Sequence, residues 1–187
     1  MGDDTGSREG RISLNPLVHI DLFGTVFFPL LMLMTAPGWL FGWAKPTPVQ
    51  PRNFTHYRRG QILTAAAGPA SNLLLALVFS LVYSMAIRAA GSEASHPVVY
   101  LGYTGMALNV ILAVFNLVPV PPLDGSWVAS WGLPRHLGEA YDRIFEPYGF
   151  LILMLLFVSG SLSLILNWVA EPLISLLGAL ARAGAGL

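Results

Sequence analysis

The chain has 187 residues with ten basic and ten acidic side chains, hence no formal net charge, and 55% of it is hydrophobic against 11% charged. With a mean hydropathy of +0.63 this is the balance of a membrane protein, and it excludes nucleic-acid binding, which needs a basic stripe against phosphate. The absence of cysteine excludes disulfides, thiolate metal sites and a cysteine nucleophile, so any metal must be held by His, Asp or Glu.

In chain order, residues 1–23 form a polar N-terminal segment whose acids precede any apolar run, the wrong order and charge for a cleaved signal peptide. The first apolar segment, 24–43, is interrupted by Pro29, Pro37 and Gly38, and each proline removes a backbone donor and kinks or ends a helix. Arg8 and Arg11 precede this segment, while Lys45, Arg52, Arg58 and Arg59 follow it. A re-entrant or surface-lying hairpin keeps both basic groups on the cytoplasmic side. Residues 62–90, 98–118 and 148–168 are each long and apolar enough to cross about 30 Å of hydrocarbon as helices. Arg135 and Arg143 then fall in a cytoplasmic loop, and the connection around Arg88 to Pro97 faces outward. In the tail, residues 171–183 open with Pro172 and place Leu173, Leu176, Leu177 and Leu180 on one stripe, the pattern of an amphipathic interfacial helix. Trp39, Trp43, Trp127, Trp131, Tyr148 and Trp168 cluster near segment ends as an aromatic belt. The expectation is an all-α membrane protein, one membrane-embedded domain of residues 1–187. It has about three transmembrane helices, a re-entrant or surface hairpin and a C-terminal interfacial helix.

Two constellations carry possible chemistry. The stretch "NLVPVPPLDG" ends the third segment in prolines and delivers Asp124 at the start of the next helical stretch, eight residues after Asn116. Ionisable groups at membrane depth are functional by default; equally, Asp124 can cap a helix and Asn116 can bond between helices. The second constellation is "AAAGPASNLLLA". Its small residues allow close helix approach, and Pro69 frees a carbonyl that Asn72 could partner.

"GPASN" followed by "FNLVPVPPLDG", with "LNPLVHIDLFGT" upstream and "GWAKPTPVQPRNF" between, resembles the site-2 protease family of intramembrane zinc metalloproteases in its small form without appended domains. The resemblance runs from about Gly10 to Trp168. It implies a zinc held by two His of an H-E-x-x-H helix and by Asp124, with the Glu of that helix as general base. It also implies that Asn116 steadies the scissile carbonyl, that Asn72 helps fix the metal-bearing helix, and that Gly68, Pro69 and Gly125 are motif positions. The implied partners are membrane lipids and a transmembrane-helix substrate or partner protein. The implied location is a bacterial-type cytoplasmic membrane, with the site toward the cytoplasmic face.

The chain departs from the family pattern in containing no H-E-x-x-H. Its four histidines, His19, His56, His96 and His136, include no pair four residues apart. A misplaced start, a truncation and a natural member without catalysis all fit, and the first is favoured because Asn116 and Asp124 are intact. His19 beside Asp21 is the one histidine with a carboxylate placed to orient it, but one His and one Asp make a poor zinc site. The prolines of "KPTPVQPRN" suit an extended strand to which a substrate peptide could add. As given, the chain reads as an inactive form of such a protease; the alternative is a non-catalytic membrane protein that binds transmembrane partners.

Overall fold

The computed structural model describes residues 2–13, 15–35, 42, 44–90 and 96–186. It is 79% helical, and no strand occurs among the described residues. Where one domain was expected, backbone packing separates two compact units, Met1–Gly60 and Gln61–Leu187.

The first unit begins with the single turn α1 (Thr5–Arg8) and a 3₁₀ turn at Pro16–His19, which Asn15 caps by accepting from Leu17 N. A π-helical stretch, Leu22–Phe27, leads into α2 (Phe28–Thr35). Asp21 caps this stretch, accepting from Gly24 N at 2.7 Å, so it does not serve to orient His19; the His19 ring instead lies 3.1 Å from the Ser13 carbonyl through Nε2. Leu22–Thr35 is apolar but shorter than a span. The remainder of the expected 24–43 hairpin, including Trp39 and Trp43, falls at 36–41 and 43, outside the described residues. The proline-rich 44–50 forms no strand; Lys45 N donates to His19 O and Gln50 N to Asp3 Oδ2, each at 2.8 Å. Asp3 also accepts from Thr5 and Asn53, and these bonds, the Thr5 hydroxyl foremost, hold its carboxyl well below the usual carboxylate range.

The second unit is built on α3 (Tyr57–Ala90) from Gln61 onward, α4 (Pro97–Asn116), α5 (Asp124–Gly132), α6 (Arg135–Val158) and α7 (Ser161–Ala185). Three helices are long and apolar enough to cross a membrane: Arg59–Ala90, Pro97–Asn116 and Ser161–Ala185. They are predominantly apolar, so large side chains such as Leu74, Leu81 and Leu164 remain exposed where lipid is the solvent. Their shared core is Ala76 of α3, Val110 and Val114 of α4, and Ala170 of α7, closed by Leu166, Ile174 and Leu177. Met106 is fully buried on α4, with its Cε 4.0 Å from the space a side chain on Gly178 of α7 would take. Ser80 Oγ donates to Leu177 O at 3.3 Å, and Ser84 Oγ lies 3.2 Å from where a side chain on Gly184 would begin. Positions rise together along α3 and α7, so these helices run parallel, with α4 antiparallel to both.

Two segment boundaries differ from the sequence expectation. Residues 148–168 are not one transmembrane helix: α6 ends at Val158 and α7 starts at Ser161, with Gly160 between them at φ 73. Only glycine adopts that left-handed backbone freely. The apolar part of α6, from Tyr148 to Val158, rises only about 16 Å, too little to span alone. Residues 171–183 are likewise not a separate interfacial helix but continue α7 through Pro172. Proline removes one helical bond there, but Leu166 and Ala170 before it and Ile174 and Leu177 after it pack on the same core and keep the axis continuous. Trp168 therefore lies mid-helix rather than at a segment end.

Lipid is as apolar as the core, so packing rather than transfer from water holds these helices together. Met106→Ala is expected to cost about 2 kcal/mol, the lower end for a buried methionine, through the cavity it leaves. Thermal unfolding in detergent checks it.

Candidate functional site

The chain leaves α4 at Asn116 through turns that close on themselves. Leu117 N bonds Ala113 O and Val114 O, Val118 N bonds Phe115 O, Val120 N bonds Val118 O, and Leu123 N bonds Val120 O. A segment with prolines at 119, 121 and 122 has few donors to satisfy, which makes it tolerable at this depth. Val118, Val120 and Leu123 turn inward onto Leu162 of α7, with Phe145 and Ile152 of α6 packed around them. Tyr141 of α6 donates its hydroxyl to the Pro119 carbonyl at 2.7 Å. Burial, then the charge of Asp142, pushes the Tyr141 phenol up, so it remains the proton donor at neutral pH. Tyr141 was not legible in the sequence, since it lies 22 residues from its partner without a pattern to link them.

This turn delivers Asp124 as the first residue of α5. The cap position is Leu123, and it is the Ser126 hydroxyl that bonds back to Leu123 O, at 2.7 Å. The capping alternative for Asp124 therefore does not hold. Its half-buried carboxylate accepts no hydrogen bond and makes no ion pair among the described residues, and burial pushes its pKa up. A side chain on Gly125 would begin 2.2 Å from Leu117 O and 2.7 Å from Val118 O, so α5 can start here only with glycine.

The two sequence motifs meet at this carboxylate. Asp124 Oδ2 lies 2.9 Å from where a side chain on Gly68 would begin, so the glycine of "GPASN" makes room for the aspartate of "LDG". Gly68 and Asn72 share one face of α3, with Ala65 and Gln61 one and two turns earlier. Gln61 was not singled out from the sequence, yet it is buried and its Oε1 has no hydrogen-bond partner. Pro69 is buried on α3, and Asn116 and Asn72 are half-buried. Neither asparagine hydrogen-bonds Asp124.

Asp124 suits a cation as a free, half-buried carboxylate at a helix start, but it offers only one ligand. Among the described residues no group of three His, Asp or Glu could hold a metal ion. His96 precedes the first residue of α4 at the opposite end of that helix, about 30 Å from Asn116, and His136 is exposed on α6. The residues present thus fit one position of a zinc site and do not complete it.

Two measurements check this geometry. Gly125→Ala, which drives a methyl into backbone carbonyls, is expected to cost roughly 2–3 kcal/mol, whereas Gly68→Ala meets a side-chain oxygen that can turn aside and costs less. For Asp124, a carboxyl whose folded pKa is raised is penalised progressively as pH rises from its unfolded value of 3.8 to the folded value. Asp124→Asn is expected to remove that fall in stability, read from unfolding temperatures of the chelator-treated chain across acid to neutral pH.

The comparisons with known proteins agree with the motifs. The model of peptidase family M50 matches residues 82–159, which include the turn carrying Asp124. Two curated proteins named as putative zinc metalloproteases align over most of the chain. YwhC of Bacillus subtilis (strain 168) is 38% identical over 165 residues, 85% of this chain and 70% of its own length. Rip2 of Mycolicibacterium smegmatis is 28% identical over 177 residues, 91% of this chain and 61% of its own length. No solved structure matches. With that identity to a relative covered over more than two thirds of its length, and with three helices apolar enough to cross a membrane, the chain is an integral membrane protein that belongs to peptidase family M50, the site-2 type of zinc metalloprotease.

Proposed function

We propose that the complete protein hydrolyses peptide bonds within or beside transmembrane helices, on the cytoplasmic side of a bacterial-type cytoplasmic membrane. In this reading Asp124 contributes one zinc ligand. Asn116 donates its amide to the carbonyl under attack, and Asn72 and Gly68 shape the α3 face on which the metal-bearing helix rests. Zinc, when bound, supplies the Lewis acid. Partners are membrane lipids and substrate helices that unwind locally, since a helical backbone hides its carbonyls from attack. The 187-residue chain by itself is inactive, because its sequence contains no H-E-x-x-H.

The observation that carries this reading is the meeting of Gly68 with Asp124. A carboxylate half-buried without a partner lowers stability, and such a cost is retained where the group has work to do. The absence of a three-ligand group among the described residues favours the second reading, a non-catalytic protein that binds transmembrane partners.

Elemental analysis after purification without chelator is expected to find no zinc in this chain, about one zinc when an H-E-x-x-H helix of the family is fused in front of it, and none in that fusion with Asp124→Ala. Cleavage of a transmembrane reporter should follow the zinc. Zinc retained by the Asp124→Ala fusion would remove Asp124 as a ligand, and a zinc-loaded fusion that cleaves nothing would leave the binding protein as the better reading.

A further inference from the structure

We propose that residues 22–44 enter the hydrocarbon end-on as a re-entrant hairpin, from the side at which α3 begins, with Met34 deep among the acyl chains and Asp21 and Lys45 at the headgroups. The chain leaves and returns at one place. Lys45 N donates to His19 O at 2.8 Å, and a side chain on Gly42 would begin 2.5 Å from Gly24 O and 3.0 Å from Pro29 Cγ, so the returning limb runs back along the helix. Between these ends no residue from Leu22 to Ala44 is charged. His19, Asp21 and Lys45 stand at the junction, and Arg11 is tied to it by donating to the Val18 carbonyl. The same compact unit holds the first turn of α3, where a side chain on Gly60 would meet the Phe54 ring. Because α3 continues from there as a membrane span, hydrocarbon is within reach of the hairpin.

A helix that lies on a membrane surface needs one polar face. Leu22–Thr35 has none. Leu31 and Leu33 project about 160° apart and both are exposed, as are Leu22, Phe23, Leu30 and Met34, the last at 84%. The two hydroxyls are answered locally: Thr25 Oγ1 accepts from Asp21 N at 3.1 Å, and Thr35 Oγ1 donates to Leu31 O at 2.8 Å. Asp21 caps the N-terminal end by accepting from Gly24 N, which keeps that end among polar groups and sends Thr35 inward. The π-helical and α-helical parts together rise about 20 Å, past the middle of a hydrocarbon core of about 30 Å and short of its far side. A protein partner covers one side of a helix. Acyl chains cover every exposed side at once, and they already surround the spans of this chain.

The chain has no cysteine, so each single replacement carries one fluorophore, and the positions chosen are exposed, so the packing is left as it is. In lipid vesicles holding the full chain, a fluorophore on Met34→Cys is expected to be quenched about threefold or more better by a nitroxide near the acyl-chain end of the lipid than by one near the headgroup. On Leu22→Cys the order should reverse, and fluorophores on Leu31→Cys and Leu33→Cys should both be quenched by lipid. Equal, shallow quenching at Leu22→Cys and Met34→Cys would show a helix lying flat and overturn the proposal. A fluorophore on Leu31→Cys or Leu33→Cys that no lipid nitroxide reaches overturns it as well, and assigns that side to a protein partner. Modification of Met34→Cys by a membrane-impermeant maleimide, added on either side, places the position in water and has the same consequence.

Discussion

The packing of Gly125 against the Leu117 and Val118 carbonyls decides where α5 begins, and therefore where a carboxylate stands in an otherwise apolar bundle. Hydrocarbon offers no water to a freed peptide group, so a chain that leaves a helix at this depth must satisfy its own backbone or remove the groups that need satisfying. Both devices occur between Asn116 and Asp124. Prolines at 119, 121 and 122 delete donors, short turns use those that remain, and the Tyr141 hydroxyl takes up the Pro119 carbonyl. With Val118, Val120 and Leu123 buried beneath, the turn is a rigid mount rather than a loose connection.

On that mount Asp124 gains only the field of the α5 N-terminus, which favours an acid in the first turn. It does not cap α5 and pairs with no described residue, and burial disfavours its charge. α3 meets it with glycine, the residue that occupies least space, and not with a donor. An arrangement that makes room for a carboxylate and leaves it unsatisfied is the inverse of one built for stability alone. The buried Gln61 on the same face of α3 shares that character, with an acceptor lacking a partner.

The bundle that carries this site follows from small residues at the places where helices approach. Ala76 and Ala170 let α3 and α7 close on α4, and Gly102 of α4 leaves room for the α3 backbone at Tyr83, 2.8 Å from where a side chain would begin. Hydrophobic attraction between helices is weak in lipid, so such contacts and polar groups placed between helices carry the association.

Much of this was legible in the residues, because the constraints behind it are local. The length of an apolar run is set by bilayer thickness, which placed the spans ending near Ala90 and Asn116, and the GPxxN and LDG strings named the family before any geometry was known. Where the third span lies was not local. Residues 148–168 read as one helix because a single glycine in an apolar run carries no period of its own; only the packing of Leu162 under the proline turn, with Gly160 free to take φ 73, shows that the chain turns there and that the span runs on to Ala185. Likewise, Pro172 and the leucines after it carry the pattern of a separate surface helix, and it takes the contacts of Leu166, Ala170, Ile174 and Leu177 to carry α7 through it. The sequence by itself determined the solvent, the helical class and which carboxylate stands out, since these depend on composition and short spacing. The tertiary structure alone decided that Gly68 faces Asp124 and that Tyr141 holds the turn, because contacts between residues distant in the chain arise from packing and leave no periodic trace along it.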